Sequence, residues 1–271
     1  MGTTLNAFLP LAASAVSFLF ALLVLAQFLR RRRAFQLVWS LGLALYGAST
    51  LAEFLGNSQG WSEPVFRWWY LTGAIAVAAF LGLGTVYLHP PGPFGWWVVA
   101  LVVAGALPAL RGNPVAASVA VAAAAALGYV QWRAPARLAS VAFVLLVLGI
   151  LWAGALTLSV AVEASLLPGP GDESPKGNAF PEGLRALTPL FNIPGGLAMA
   201  GGAASSAWFF WRRRAEGRRA LSNLLIFLGA VIPSVTSLLS RIEVPSGFYL
   251  GQLLGILLIF AGFLVTLRSR P

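Results

Sequence analysis

The sequence predicts an all-α fold, a polytopic transmembrane helix bundle, and three observations predict it. Of its 271 residues, 59% are hydrophobic and 10% charged, whereas a soluble domain holds about 45–50% apolar and about 25% charged residues. Mean hydropathy is +0.83. The apolar residues gather in long Leu/Ala/Val/Phe runs bounded by turn residues or arginines, and a helix needs about 20 such residues to cross about 30 Å of hydrocarbon. Residues 1–271 therefore read as a single integral membrane domain in contact with a lipid bilayer.

Nine runs qualify as candidate spans. The first, 8–29, is closed by Arg30, Arg31, Arg32 and Arg33, a cytoplasmic anchor rather than the small-residue site of a cleavable signal peptide. The second, 35–56, leaves that anchor, and the third, 66–88, returns behind Trp68, Trp69 and Tyr70. Runs 95–110 and 114–131 are short and joined by the tight turn Arg111-Gly112-Asn113-Pro114. They are either two thin spans or a re-entrant hairpin buried in protein, which would leave seven crossings. Runs 138–162, 187–211, 220–240 and 247–267 complete the set.

Charge orients the bundle. With the N-terminus outside, the inner segments hold Arg30 to Arg33, Arg133, Arg137, Arg212 to Arg214, Arg218, Arg219, Arg268 and Arg270 against Glu216 alone. The outer side receives only Arg67, Arg111, Lys176, Arg185 and Arg241 beside the other seven acids. Such an asymmetry is the positive-inside signature of an N-out, C-in protein. Aromatic residues agree: Trp61, Trp68, Trp69, Tyr70, Phe248 and Tyr249 read as an outer belt, and Tyr87, Trp96, Trp97, Trp132, Trp208 and Trp211 as an inner one. An arginine excess over the single Lys176 suggests a GC-rich bacterial genome, and so the cytoplasmic (inner) membrane of a bacterium.

The same composition excludes several functions. The chain has no Cys and one His, His89, so disulfides, zinc-thiolate sites, iron–sulfur clusters, bis-His haem and His-based triads are not expected. Lys176 sits in the most polar loop, where it cannot carry a retinal Schiff base. Topology accounts for the net charge of +10, so no nucleic-acid partner is expected. Nor is any cofactor, metal or enzymatic activity; an acid/base pair acting on lipid head groups would have only Glu53 and Glu163 to use.

Polar residues inside spans are costly, which makes their depth informative. Glu53, Glu163 and Arg241 fall near the outer ends of spans two, six and eight, and Asn192 and Gln252 a turn or two below the outer surface on spans seven and nine. They read either as an outward-facing polar pocket for a small solute or ion or as helix ends turning polar near head groups. The centre holds only Ser, Thr and small residues, which disfavours a proton relay. Span seven opens with Thr188-Pro189-Leu190-Phe191-Asn192-Ile193-Pro194-Gly195-Gly196. That reads as a helix broken at Pro194, with Asn192, Gly195 and Gly196 offering backbone and amide contacts to a ligand, or as a proline setting the helix entry angle.

Span nine carries Gly247, Gly251 and Gly255 at four-residue spacing, a face for close helix packing, either against the small face of span seven or across a homodimer. Spans one to three (8–88) and seven to nine (187–267) share a layout around 95–162, suggesting a parallel repeat. The one sizeable loop, Glu163 to Leu184 with Pro168-Gly169-Pro170-Gly171-Asp172-Glu173, reads as unstructured, either a plain connector or a lid.

Two stretches look familiar. Arg31 to Ala34, Trp39-Ser40-Leu41 and Ala52-Glu53-Phe54 resemble the start of the seven-helix membrane sensor of some bacterial histidine kinases. Residues 67–88 and 192–263 resemble uncharacterised bacterial polytopic membrane proteins. The first likeness implies signalling through a separate partner, and neither brings functional residues. The expected function is a small-solute or ion transporter or channel, in which Glu53 and Gln252 coordinate a polar or cationic solute and Arg241 holds Glu53 or an anionic group. The alternative is a ligand-sensing or accessory membrane subunit acting through a partner protein.

Overall fold

The computed structural model describes residues 2–89, 92–169, 175–213, 217–241 and 247–268, with the side chains of 2–7, 240, 241 and 268 outside the description. Among these residues there is no strand, and nine long helices make the bundle: α1 (Gly2–Arg31), α2 (Ala34–Gln59), α3 (Glu63–Leu88), α4 (Pro93–Gly112), α5 (Pro114–Arg133), α6 (Leu138–Ser159), α7 (Thr188–Arg212), α8 (Gly217–Arg241) and α9 (Phe248–Arg268). Eight of them are long and apolar enough to cross a membrane. The ninth, α7, has the length, but its Asn, Pro and Gly residues dilute its apolar content.

The chain ends each helix by simple means. Arg32 takes the left-handed conformation (φ 53°) after α1, its N–H donating to Phe28 O at 2.7 Å, so two residues reverse the chain into α2. Asn113 separates α4 from α5, and its side chain accepts from the Ala116 N–H at 3.0 Å while Pro114 begins the new helix. This is a capped, proline-started N-terminus. Both α4 and α5 are 20-residue helices of membrane-spanning length and apolarity.

Neighbours in sequence pack antiparallel. Ser14 of α1 donates to Gly47 O of α2, Trp39 of α2 donates to Leu81 O of α3, and Ser222 of α8 donates to Gly262 O of α9. In contrast α3 and α7 run parallel, Tyr70 meeting Thr188 at one end and Asn192 bonding to Ala74 O a turn along. α1 and α9 lie together through Phe20, Phe260 and Phe263. The arginine-bearing helix ends therefore gather at one end of the bundle and residues 160–187 at the other.

Outward surfaces are apolar. Leu22, Leu148, Leu151, Leu158 and Leu238 are each more than half exposed, which water would penalise and a bilayer does not. At the arginine end, Trp132, Trp208 and Phe209 are exposed and covered by the guanidinium groups of Arg133, Arg212 and Arg213 at 4.4–4.8 Å. The expected outer belt is different. Trp61, Trp69, Tyr70, Phe248 and Tyr249 are all buried, and only Trp68 is exposed, because they pack on one another and on the 160–187 segment instead of facing lipid.

Three expectations about packing are corrected. α7 is one continuous helix through Pro194; Gly105 of α4 leaves room opposite the ring, where a β-carbon would lie 3.1 Å from Pro194 Cδ. The glycine face of α9 meets α8, not α7. β-carbons at Gly251 and Gly255 would lie 2.6 Å from Thr236 Cγ2 and 2.8 Å from Gly229 O. Gly247 is a left-handed turn residue (φ 55°) before the helix and packs on no other helix. The small face of α7 is spent on α3 and α4, where Gly195 meets Gly82 and Gly201 meets Trp97.

Of the loop read as unstructured, residues 170–174 lie outside the described residues, while residues 175–184 differ from that reading. Ala179, Phe180, Leu184 and Leu187 are buried, and Phe180 stacks on Phe66 (5.2 Å between centroids) and touches Tyr70 (4.7 Å). These four apolar anchors bury enough surface to order residues 175–187.

Candidate functional site

A cavity of about 600 Å³ opens at the loop end, between α2, α3, α7, α8 and α9. Its rim carries Pro175 to Asn178 and Arg185, with Lys176, Asn178 and Arg185 exposed. Its wall carries Glu53, Asn192 and Gln252, three of the polar residues singled out in the sequence, together with Tyr46, Trp69 and Tyr70.

Glu53 sits six residues from the end of α2, about 9 Å inside at 1.5 Å per residue, and is 1% exposed. Its Oε1 accepts from Trp69 Nε1–H at 3.0 Å and from Gln252 Nε2–H at 3.1 Å. Both partners are donors, which suits a carboxylate. Its Oε2 is buried with no partner among the described residues.

The two amides are oriented by what they face. Gln252 turns its NH₂ to Glu53, which leaves Oε1 buried and unpartnered. Asn192 donates through Nδ2 to Ala74 O at 2.9 Å, leaving Oδ1 in the same condition. Because a carbonyl and a carboxylate can only accept, these amide orientations follow from chemistry. Three residues of the cavity wall thus each keep a buried acceptor oxygen with no donor among the described residues, and an unmet buried polar group costs about 1–3 kcal/mol.

Two features of this wall have no counterpart in the sequence reading. Residues Tyr70–Ala76 form a π-helical segment within α3, an interruption of the α-helical ladder that is frequent at functional sites. It brings Tyr70, Gly73 and Ala74 to the cavity. Tyr46 is the second: its hydroxyl donates to Gln252 O at 3.0 Å and pins α2 to α9 behind Glu53. Tyr70 stood out in the sequence by its depth near the outer end of span three, whereas Tyr46, in the middle of α2, carried no signal.

Other sequence candidates lie elsewhere. Gly195 lines a separate apolar cavity of about 180 Å³ between α3, α4, α5, α6 and α7, and neither it nor Gly196 reaches the polar one. Arg241 ends α8, and its side chain lies outside the described residues. Glu163 is exposed on the loop, its Oε1 accepting from Ser165, and does not meet Glu53 in the cavity. His89 lies at the arginine end beside a third cavity, its Nδ1 on Thr85 O at 2.9 Å and its ring stacked on Phe94. Among the described residues no three His, Cys, Asp or Glu side chains cluster as metal ligands would.

No protein-family model, curated protein or solved structure matches this chain. The apolar helices make it a membrane-type helical bundle.

Proposed function

We propose that this protein is a small-solute transporter of the bacterial cytoplasmic membrane, N-terminus outside and C-terminus inside, that binds a cationic group at Glu53 in an outward-opening cavity. The observation that carries the reading is a set of acceptors on one wall: Glu53, Gln252 and Asn192 line one cavity, and each keeps a buried carboxyl or amide oxygen with no donor among the described residues. A bound group rich in N–H donors would satisfy them, and the Trp69 and Tyr70 rings in the wall favour a cation over a neutral donor. The size supports a solute larger than a bare ion, since small-molecule sites run about 300–1,000 Å³. The similar packing order of α1–α2–α3 and α7–α8–α9, with α3 beside α7 and α1 beside α9, supports a parallel repeat with the cavity between its halves.

The test uses methylammonium as a probe with purified protein. Methylammonium raises the thermal stability of wild type, raises it little in Glu53→Gln or Asn192→Ala, and enters proteoliposomes faster than protein-free ones. Absence of both stabilisation and flux in folded wild type refutes the reading. Binding without flux favours the alternative, a sensing or accessory subunit that passes the bound state to a partner.

A further inference from the structure

Two cavities adjoin along α3, α5 and α6, away from Glu53. The apolar one, of about 180 Å³, takes Val86, Leu127 and Ala142 toward the arginine end and Ala116, Trp152 and Leu190 toward the loop end. From Ala142 to Trp152 it follows α6 for about 15 Å at 1.5 Å per residue. The other, of about 300 Å³, lies at the arginine end and is lined by Tyr87, His89 and Gln131 with Pro135 and Ala136 of the turn between α5 and α6. Val86 lines both, so an apolar length meets a more polar end.

The opening is made by α6. Only Leu138, Ala153, Gly154 and Thr157 of this helix are buried, which seats it at its two ends. Between the seats, Ala142, Leu145, Leu146, Gly149 and Trp152 share one helical face, line the apolar cavity and stay half-buried. Val119 of α5 lines it too and is 54% exposed, which puts the mouth on the outward apolar surface of the bundle. An unfilled apolar space forfeits dispersion contacts along its walls, and water finds no polar partners there. The bilayer is the nearest source of something that fits.

We infer that this is a binding site for one anionic phospholipid, an acyl chain lying in the apolar cavity and the phosphate at Arg133 and Arg137. The inference is independent of the cation site. Moving a chain from bilayer to protein brings no hydrophobic gain, since both surroundings are apolar; the chain is held by the carbon contacts that the unfilled cavity forgoes. Charge then selects the lipid. Arg133 and Arg137 bracket the turn whose Pro135 and Ala136 line the second cavity, and both are exposed. Arg133 lies over the exposed ring of Trp132 at 4.7 Å, a pairing suited to the head-group level. The segments gathered at this end contain one acidic side chain, Glu216, which lies outside the described residues, and one acid cannot neutralise both arginines. Guanidinium groups bind phosphate through paired N–H donors, and basic pockets beside membrane helices hold anionic head groups. Tyr87, His89 and Gln131 give the glycerol region polar neighbours.

Native mass spectrometry of the delipidated full chain tests the site, with dioleoyl phosphatidylglycerol, dioleoyl phosphatidylcholine, dioleoylglycerol and glycerol phosphate as probes. The first phosphatidylglycerol binds ten times or more tighter than phosphatidylcholine or dioleoylglycerol, and glycerol phosphate does not displace it. Arg133→Gln/Arg137→Gln brings phosphatidylglycerol within threefold of phosphatidylcholine. Ala120→Leu/Ala142→Leu, which fills the apolar cavity, weakens both phospholipids tenfold or more. In wild type, where no variant has to fold, phosphatidylglycerol with a diazirine in its acyl chain labels residues 116–127 and 142–152 in preference to α1 and α8. Equal affinity for the two phospholipids, or a preference that survives in the arginine variant, overturns the head-group site. Dioleoylglycerol binding as tightly as phosphatidylglycerol overturns it too, in favour of a neutral apolar ligand, and displacement by glycerol phosphate does so in favour of free phosphate. Labelling of α1 and α8 equal to that of α5 and α6 overturns the place given to the chain.

Discussion

Gly195 and Gly196 are adjacent, equally glycine-like in the sequence, and separable by experiment. A β-carbon at Gly195 would lie 2.6 Å from Ala79 N of α3 and closer still to the Ala78 carbonyl, all of it backbone. A β-carbon at Gly82 would likewise lie 2.6 Å from Gly195 Cα. Ordinary carbon contacts are about 3.5–4.0 Å, so Gly195→Ala must part α3 and α7 by about 1 Å, and a gap of that size forfeits about a quarter to a half of each contact it opens. Helix association in a bilayer rests on such contacts, and overpacking of this kind costs about 1–3 kcal/mol. At Gly196 a β-carbon would have nothing within 4 Å, so Gly196→Ala gains only the better helix propensity, up to about 1 kcal/mol. With about 2–4 °C per kcal/mol in chains of this size class, thermal unfolding in detergent should place Gly195→Ala about 2–12 °C below wild type and Gly196→Ala at or slightly above it. Equal midpoints for the two variants would refute the packing role. A Gly195→Ala protein of wild-type stability that has lost solute binding would restore the ligand-contact role instead.

Two further substitutions probe the loop end. Phe180→Ala removes a ring buried between Phe66 and Tyr70 and should cost about 3–5 kcal/mol at that attachment, seen as faster amide exchange and proteolysis of residues 175–187; unchanged protection in a folded variant would show that Phe180 does not hold the segment. Arg67 donates to both Thr157 O and Val160 O at the end of α6 and also pairs with exposed Glu63. Arg67→Met should lose about 1.5–3 kcal/mol of charge-assisted bonding and expose residues 157–162 to exchange, whereas Glu63→Ala should lose at most about 1 kcal/mol. Matching effects from the two would locate the role in the salt bridge rather than the carbonyls.

Helix positions were legible because length and apolarity set them. Each long helix contains most of a run read from the sequence, and only end residues shift, as at α6, which stops at Ser159 rather than 162. Glu53, Asn192 and Gln252 were legible for a related reason: strongly polar side chains in apolar runs need partners, and one cavity supplies them. What stayed hidden depends on which helices meet. The glycines of α9 announce a close approach without naming α8 as its partner, and Pro194-Gly195-Gly196 reads equally as a broken helix or as a proline and glycines fitted against Gly105, Ala78 and Gly82. Phe180, Leu184 and Leu187 were masked by the proline, glycine and acidic residues ahead of them.

The least legible element is also the one on which the site's chemistry turns. Tyr70–Ala76 has no composition that marks it as π-helical, yet Asn192 donates to a carbonyl within it and is thereby forced to turn Oδ1 away from α3. Trp69, at its start, orients Glu53 in the same manner by taking up Oε1 and leaving Oε2. Gln252 repeats the pattern from α9. In Asn192 and Gln252 the amide N–H is consumed by the protein, in Glu53 one carboxylate oxygen is, and each is left with an acceptor oxygen. Residues from three helices, two of them bonded to each other, arrive at the same remainder, and that common remainder, rather than the identity of any one residue, is what the proposed cationic group would complement.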